Sequence, residues 1–190
     1  MKAYWTLFAV LVAGMAPVAA VAADAAPQTS GNACAGGYAK SFQVKGAVTT
    51  ARTITLGALR ALPQATLDVT YFSGRSGLVS EAYTGPTLYQ LLEHVGIVTD
   101  PAQKNDILRK SVVITASDCY QVVVSLGEIL PTFGGSQPVL VAWGDGDGNP
   151  LSTDEGMARL VVPGDKAGGR YVSNIVRIVV RNPGPAPQGQ

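Results

Sequence analysis

Residues 138–164, PVLVAWGDGDGNPLSTDEGMARLVVPG, narrow the architecture that this sequence can adopt. Two apolar runs, Pro138–Trp143 and Ala158–Val162, are rich in the aliphatic and β-branched residues that strands prefer. The segment between them is made of Gly, Asp, Asn and Pro, which are turn-forming residues. The stretch therefore predicts two strands joined by a Gly-rich turn, and a domain built on sheets.

The same strand pattern recurs on both sides of this stretch. The further predicted strands are Phe42–Val48, Thr66–Phe72, Ser111–Thr115, Tyr120–Ser125 and Ser173–Val180. Two short helices are predicted at Leu56–Ala61, after the N-cap residue Thr55, and at Thr87–Val95, which ends before Gly96. A further turn is expected at Leu126–Leu130. Because strands and helices do not alternate as βαβ units, the sequence predicts an α+β domain.

The two ends of the chain have a different composition from the domain. Lys2, a short apolar segment and a small-residue exit near Ala23 form the pattern of a cleavable signal peptide. The apolar segment is shorter than the roughly 20 residues of a membrane-spanning helix, and an uncleaved anchor is the alternative. The predicted organisation is signal peptide 1–23, flexible leader 24–39, domain 40–182 and disordered tail 183–190. We expect a periplasmic or secreted protein with no membrane insertion after cleavage.

Composition argues against several classes of function. The formal net charge is +1, so no strong field attracts nucleic acid or anionic lipid. The single histidine, His94, is expected on the surface of a helix, which leaves zinc hydrolysis and Ser-His-Asp catalysis without their residues. Asp145–Asn149 resembles the start of a calcium loop, but Pro150 and Gly156 stand where such a loop needs Gly and Glu. A hairpin turn is the better interpretation.

The two cysteines, Cys34 and Cys119, permit a disulfide in an exported protein. A bridge would close a loop of roughly 85 residues and stabilise the fold by about 4 kcal/mol in the chain-entropy model. Two unpaired thiols are the alternative, and the sequence leaves both open.

Several motifs occur in a recognisable order. They are YTGPTLYQLL at Tyr83–Leu92, ASDCY at Ala116–Tyr120, the segment Pro138–Leu151, RLVVPG at Arg159–Gly164, and the strand Val172–Val180. In this order the motifs resemble those of the molybdopterin-binding domain of the sulfite oxidase family, over about Phe42 to Val180. The resemblance implies a sulfite oxidase-type molybdopterin-binding fold with mixed strands and a few short helices.

The sequence departs from the family at the metal ligand. The strand Val69–Arg75 carries Ser73 where the enzymes have a cysteine whose thiolate ligates molybdenum. A neutral serine hydroxyl is a poor substitute for a soft thiolate. Cys119 stands at a position where the family has Gly, and Glu155 lies near the place of a family histidine. The resemblance therefore implies the exported PruR-type members, which bind a free pterin and report it to a membrane signalling partner.

A pterin pocket needs aromatic faces for the ring and a carboxylate for its donor edge. Asp118, Asp165, Tyr120 and Trp143 are the candidates for these roles. Arg75 and Lys166 are candidates to hold the ring carbonyl, and Ser73 stands at the lost metal position.

Three hypotheses follow. The first is a non-catalytic pterin-binding module. The second is a molybdopterin-dependent oxidoreductase in which Ser73 or Cys119 ligates the metal. The third is an accessory interaction domain whose pocket is filled by side chains.

Overall fold

The computed structural model describes residues 34–134 and 137–183. The predicted signal peptide, most of the leader and residues 184–190 lie outside this part of the chain. The strands are β1 Ser41–Gly46, β2 Arg52–Thr55, β3 Ala65–Ser73, β4 Gly77–Gly85, β5 Ser111–Ala116, β6 Gln121–Ser125, β7 Leu140–Ala142, β8 Gly144–Asp145, β9 Arg159–Val161 and β10 Ile175–Arg181. The helices are α1 Leu56–Arg60, α2 Leu88–Val95 and α3 Leu126–Ile129, with single 3₁₀ turns at Asp106–Arg109 and Gly168–Arg170.

The largest sheet has five strands in the order β2-β1-β10-β5-β6. β1 and β10 run parallel, whereas the other neighbours are antiparallel. Alternate residues of β1, Phe42 and Val44, point into the core, as the period of two in a strand requires. β5 is apolar and buried over nearly its whole length, because it lies between two other strands with both faces covered.

A second sheet has three strands in the order β3-β4-β8, and it carries several residues of the candidate functional site. β3 and β4 form a hairpin in which Ser73 pairs with Gly77 next to the turn. The Ser73 hydroxyl accepts hydrogen bonds from the backbone amides of Arg75 and Ser76, 3.3 Å away in each case. Gly77 has φ +76°, a conformation that favours glycine. β7 and β9 form a separate antiparallel pair.

Helix α2 begins and ends where its sequence signals lie. The Thr87 side chain accepts a bond from the Gln90 backbone amide, and the Gln90 side-chain oxygen accepts one from the Thr87 backbone amide, which forms a capping box. Leu88, Leu91 and Leu92 are fully buried, and Gly96 follows the last residue of the helix. Helix α2 thereby anchors the end of β4 to the core.

The α+β prediction is confirmed, with mixed sheets and few short helices. All seven predicted strands are present within two residues at their ends, as are both predicted helices, and the expected turn at Leu126–Leu130 is α3. Three strands were not predicted: β2, β4 and β8. β4 has the sequence GLVSEAYTG, which shows no alternation of polar and apolar residues and buries few of them, and its order comes from pairing with β3 along nine residues.

The N-terminal described residues are attached to the domain. Cys34 forms a disulfide with Cys119, with their Cα atoms 4.9 Å apart, so the question that the sequence left open is settled in favour of a bridge. The backbone amide of Gly36 donates to the Ser117 carbonyl, and the Ala39 amide donates to the Asn174 side chain. These contacts hold residues 34–39, which the sequence assigned to the leader, against the loop after β5 and against Asn174, which precedes β10.

Cys119 has φ +69°. Gly adopts such a conformation at little cost, whereas a residue with a side chain is strained there. Among the described residues, no helix has the length and apolar character to cross a membrane.

Candidate functional site

A cavity of about 520 Å³ opens where β3 ends. It is lined by residues 71–74, residues 167–169, Arg159 and Tyr171. The Phe72 amide donates to the Lys166 carbonyl at 2.9 Å, and this bond joins the end of β3 to the loop that follows β9. The volume lies within the range of small-molecule sites, roughly 300–1,000 Å³. Ser73, at the position of the lost metal ligand, is therefore part of a cavity wall.

The aromatic wall of the cavity is formed by Tyr71 and Tyr171. Their rings stack with centroids 4.1 Å apart and planes inclined by 27°. A side-chain carbon at Gly168 would come within 2.9 Å of the Tyr71 ring, which is closer than such contacts allow. Gly168 therefore lets the 167–169 loop lie directly against the ring. Phe72 is 56% exposed beside this wall.

Arg159 forms the polar floor of the cavity, and hydrogen bonds fix its guanidinium. Nη2 donates to the Tyr71 hydroxyl at 3.0 Å, and Nη1 donates to the Tyr83 hydroxyl at 2.9 Å. Glu155 forms an ion pair with the same Nη1, and the Tyr83 hydroxyl donates in turn to Glu81. Burial disfavours the charge on Arg159, but its contacts with Tyr83, Tyr71 and Glu155 outweigh burial and raise the pKa. The guanidinium stays charged.

Two polar atoms in this region are buried without a hydrogen-bond partner among the described residues. They are Nε of Arg159 and the hydroxyl of Tyr171. Burial, followed by interactions with Tyr71 and Asp165, raises the pKa of Tyr171 to about 12, so the hydroxyl is protonated at neutral pH. An unsatisfied buried donor costs roughly 1–3 kcal/mol.

Four of the residues predicted from sequence meet around the 164–170 loop. Ser73 lines the cavity. The Tyr120 hydroxyl donates to the Gly169 carbonyl at its rim. Lys166 takes part through its backbone carbonyl, while its side chain is not among the lining groups. Asp165 receives two bonds from Arg170, at 2.7 and 2.8 Å, and this pairing raises the pKa of Arg170.

The other three predicted residues do not line the cavity. Arg75 is exposed in the β3–β4 turn. The Asp118 carboxylate accepts a bond from the Tyr120 backbone and so stabilises its own turn. Trp143 packs under the Arg60 guanidinium, 3.9 Å from the ring centroid, and its indole N–H donates to Gln64. The slot expected between Ser73, Asp118 and Trp143 is therefore replaced by a cavity between Ser73, Arg159 and Tyr171.

Sequence reasoning overlooked the residues that dominate this cavity. Arg159 belongs to the RLVVPG motif, and that motif was the available signal. Tyr71 alternates inward along β3 between exposed neighbours, a period-two signal that was also readable. Tyr171 follows a Gly-rich loop with no periodic pattern, and nothing in its sequence context marks it.

The donor set fits the heterocyclic part of a molybdopterin and does not fit thiolate-held molybdenum. The lining combines the Arg159 guanidinium with the aromatic side chains of Tyr71, Phe72 and Tyr171. Both cysteines are in the disulfide, so Cys119 has no thiolate to give, which removes one of the two metal ligands considered from sequence. Ser73 is left as a neutral hydroxyl engaged by two backbone amides. No group of three or more His, Cys, Asp or Glu suited to a metal occurs within the described ranges.

Mixed sheets with a few short helices and a cavity at the end of β3 define a sulfite oxidase-type molybdopterin-binding fold. The family model described as "oxidoreductase molybdopterin binding domain" matches residues 39–185, and the chain belongs to this family.

The crystal structure of the sulfane dehydrogenase SoxCD from Paracoccus pantotrophus is similar to this chain, with a TM-score of 0.59 and 20% sequence identity. The match covers 74% of this chain and 38% of that one, so this chain spans well under two thirds of the SoxCD chain. At this identity the likeness shows the fold. A comparison with curated proteins gave no match.

Proposed function

We propose that this chain is an exported, non-catalytic domain that binds a free pterin and reports it to a membrane signalling protein. The observation that carries the proposal is the cavity at Ser73: it keeps an aromatic and cationic wall but has no thiolate. A family member with such a cavity retains the means to bind a flat heterocycle and has lost the soft ligand for a redox metal.

The chemistry of the wall supports a ring ligand. Exposed Phe72 offers aromatic surface, the buried Tyr71–Tyr171 stack backs the cavity, and Arg159 offers a fixed positive charge. Aromatic faces with a few placed polar groups are the usual composition of a small-molecule site. The open volume argues against the hypothesis of a pocket filled by side chains.

Export and signalling are the less direct parts of the proposal. The Cys34–Cys119 disulfide supports an oxidising compartment, in agreement with the predicted signal peptide. N-terminal sequencing of protein from the periplasm or the medium should begin at Asp24. An intact N-terminus starting at Met1 would contradict export by cleavage. Crosslinking in intact cells that captured no membrane protein in a ligand-dependent way would contradict the signalling role.

Binding is tested by titrating oxidised and tetrahydro pterins into protein purified after export. One site with measurable heat is expected, and Arg159→Gln should weaken it at least about 10-fold because a charge-assisted hydrogen bond is lost. Arg60→Gln is the matched control, since that cation covers Trp143 and does not line the cavity. An absence of heat with any pterin at millimolar concentration would contradict the proposal.

A molybdopterin-dependent oxidoreductase is the second candidate, favoured by the Ser73 hydroxyl in the cavity wall. Metal analysis of protein purified from its native compartment separates the two. Molybdenum in a 1:1 ratio, lost in Ser73→Ala, would replace the first proposal with this one.

A further inference from the structure

The five strands of the largest sheet contain no aspartate or glutamate. They carry four cationic residues, Lys45, Arg52, Arg177 and Arg181, in a chain whose formal net charge is +1. None of the four belongs to an ion pair within the part of the chain that the structure describes. The positive charge of this sheet is therefore not compensated by those residues.

The register of the strands gathers three of these cations around one valine. In β10 alternate residues belong to the core, so Val179 points to the opposite face of the sheet. Lys45 is the partner of Val179 in the parallel β1–β10 ladder. Arg177 and Arg181 lie two residues to either side of Val179 on the same strand, and both are exposed. The three cations therefore surround Val179 on the face that points away from the core.

A row of valines crosses the same face. Val179 pairs with Val113 of β5, and Val113 pairs with Val123 of β6. Residues paired across strands place their side chains on one face, so the three form a continuous apolar row. Val113 is 7% exposed but does not belong to the core cluster, and Val123, on the edge strand, is 57% exposed. We define the cationic face by this row and its cations: Lys45, Val113, Val123, Arg177, Val179 and Arg181.

We propose that the cationic face docks an acidic surface of a protein partner. Cations without partners attract carboxylates and steer association, and protein interfaces commonly surround an apolar centre with a charged rim that is rich in Arg. The valine row calls for an apolar counterpart, which a polysaccharide or a nucleic acid backbone does not offer. Valine side chains are short, whereas surfaces that anchor to lipid use Trp, Phe and Leu. An acidic protein surface matches both the charge and the apolar row.

This contact is separate from the Ser73 cavity. None of the residues of the cationic face lines that cavity. The inference therefore goes beyond pterin binding and does not depend on what the cavity holds.

Photocrosslinking in intact cells tests the proposal with the full chain. Val123→p-benzoylphenylalanine places the probe on the cationic face, and Leu78→p-benzoylphenylalanine is the matched control, because Leu78 is 74% exposed on the other sheet. We expect a protein adduct from position 123 and none from position 78. Peptide mapping of the adduct should place the contact in a segment that carries Asp or Glu.

Charge exchange with the captured protein then decides the proposal. Arg177→Glu should weaken binding of that purified protein at least about 10-fold, and affinity should fall as ionic strength rises. Arg52→Glu is the control, since Arg52 pairs with the buried Val44 and so lies on the opposite face of the sheet; it should change affinity by less than about 3-fold. Replacing the mapped carboxylates of the partner by Lys should restore binding to the Arg177→Glu variant.

Each other outcome overturns the proposal. An absence of adduct at position 123, a contact segment without Asp or Glu, equal losses in the two Arg variants, or a failure of the charge exchange would each do so. An adduct between two copies of this chain would make the face a dimer interface instead. Binding to phosphatidylglycerol vesicles or to heparin that is lost in Arg177→Glu, without a protein adduct, would assign the face to lipid or to a polysaccharide.

The two proposals fail separately. Pterin titration of Arg177→Glu should give the Kd of the unmodified protein, and a 10-fold loss would show that the cationic face is not independent of the cavity. A protein that docks its acidic partner but binds no pterin would refute the pterin-binding function and leave this inference in place.

Discussion

The Asp106–Lys110 cluster and the Arg159–Glu155 cluster each place an ion pair four residues apart inside the domain, yet they differ in how fully their polar groups are satisfied. Lys110 Nζ lies 2.9 Å from Asp106 and 2.7 Å from the side-chain oxygen of Asn182. Asp106 also accepts the Asp100 backbone amide at 2.9 Å. The charged groups of this cluster are thus paired within the protein, as expected of a cluster that stabilises the fold.

The Arg159–Glu155 cluster is incomplete. It leaves Arg159 Nε and the neighbouring Tyr171 hydroxyl without partners, and it borders a cavity of about 520 Å³. A fold keeps unsatisfied buried groups at a cost, and such groups call for an explanation. The contrast indicates that the first cluster stabilises the domain, whereas the second keeps unsatisfied groups at a cost.

The largest expected effect is the loss of stability on removal of the disulfide. Because the disulfide touches neither cluster, its removal tests whether stability and ligand binding are separable. Cys34→Ser with Cys119→Ser should lower the free energy of unfolding by about 4 kcal/mol. Cys119→Gly in place of Ser should restore about 1 kcal/mol, since φ at this position is +69°. Urea unfolding measures both changes. Pterin affinity of the folded variant should be unchanged, and a 10-fold loss would show that the disulfide also shapes the cavity.

Lys110→Met should produce the next largest effect, a loss of several degrees in Tm. It removes the closer of the two cations that pair with the buried Asp106 carboxylate and leaves only the partly exposed Arg109, 3.3 Å away, which is destabilising, whereas replacing both Asp106 and Lys110 is less so. Asp106→Asn combined with Lys110→Met should therefore recover part of the loss in thermal unfolding. Pterin affinity should match that of the unmodified protein in both variants. A change in affinity would undermine the division between the two clusters.

Acid should weaken both clusters. A hydrogen bond from the Asp100 backbone, together with Lys110, lowers the pKa of Asp106. Burial works to raise the pKa of Glu155, but hydrogen bonds from Ser152 and Arg159 outweigh it and lower the pKa. Carboxyl groups with a depressed pKa stabilise the fold above their unfolded value, roughly 4, and that stability is lost as pH falls through the folded pKa.

Tm measured by circular dichroism should thus be flat from about pH 7 to 5 and fall below about pH 4. Asp106→Asn should reduce the fall of Tm at acid pH. Glu155→Gln should reduce it less, because Glu155 is more exposed than Asp106. A Tm that stays constant down to about pH 2.5 would contradict the assignment.

The sequence predicted the elements whose signals are local. β-branched runs such as Ser111–Ala116, and the Thr87 cap of α2, carry their structure in their own residues. β4 and β8 do not, since their order depends on pairing with partners elsewhere in the chain. For the same reason the sequence could not decide the Cys34–Cys119 pairing, which requires that two loops meet in space.

The structure brings four of the seven candidate site residues together around the 164–170 loop and leaves three elsewhere. Ser73, chosen because the family resemblance placed it at the metal position, lines the cavity. Trp143 was selected for its residue type, but Arg60 and Gln64 already occupy its ring and its N–H. Partners of this kind depend on packing between distant segments, which residue type alone does not reveal. Arg159 shows the converse, because its place in the site depends on hydrogen bonds to Tyr71 and Tyr83, which are distant from it in sequence.

The smallest expected effect is on the stability of Tyr171→Phe, and it bears directly on the contrast between the clusters. If the Tyr171 hydroxyl is kept for a ligand, its removal from the free protein should cost nothing and should raise the free energy of unfolding by up to about 1 kcal/mol, because an unsatisfied buried group disappears. Tyr71→Phe is the matched control, since it deletes the acceptor of Arg159 Nη2 and should destabilise by about 1 kcal/mol. Urea unfolding of both variants without ligand gives the comparison. Equal losses in the two would mean that the Tyr171 hydroxyl is already satisfied within the folded chain, and the cluster would then be as closed as that of Asp106 and Lys110.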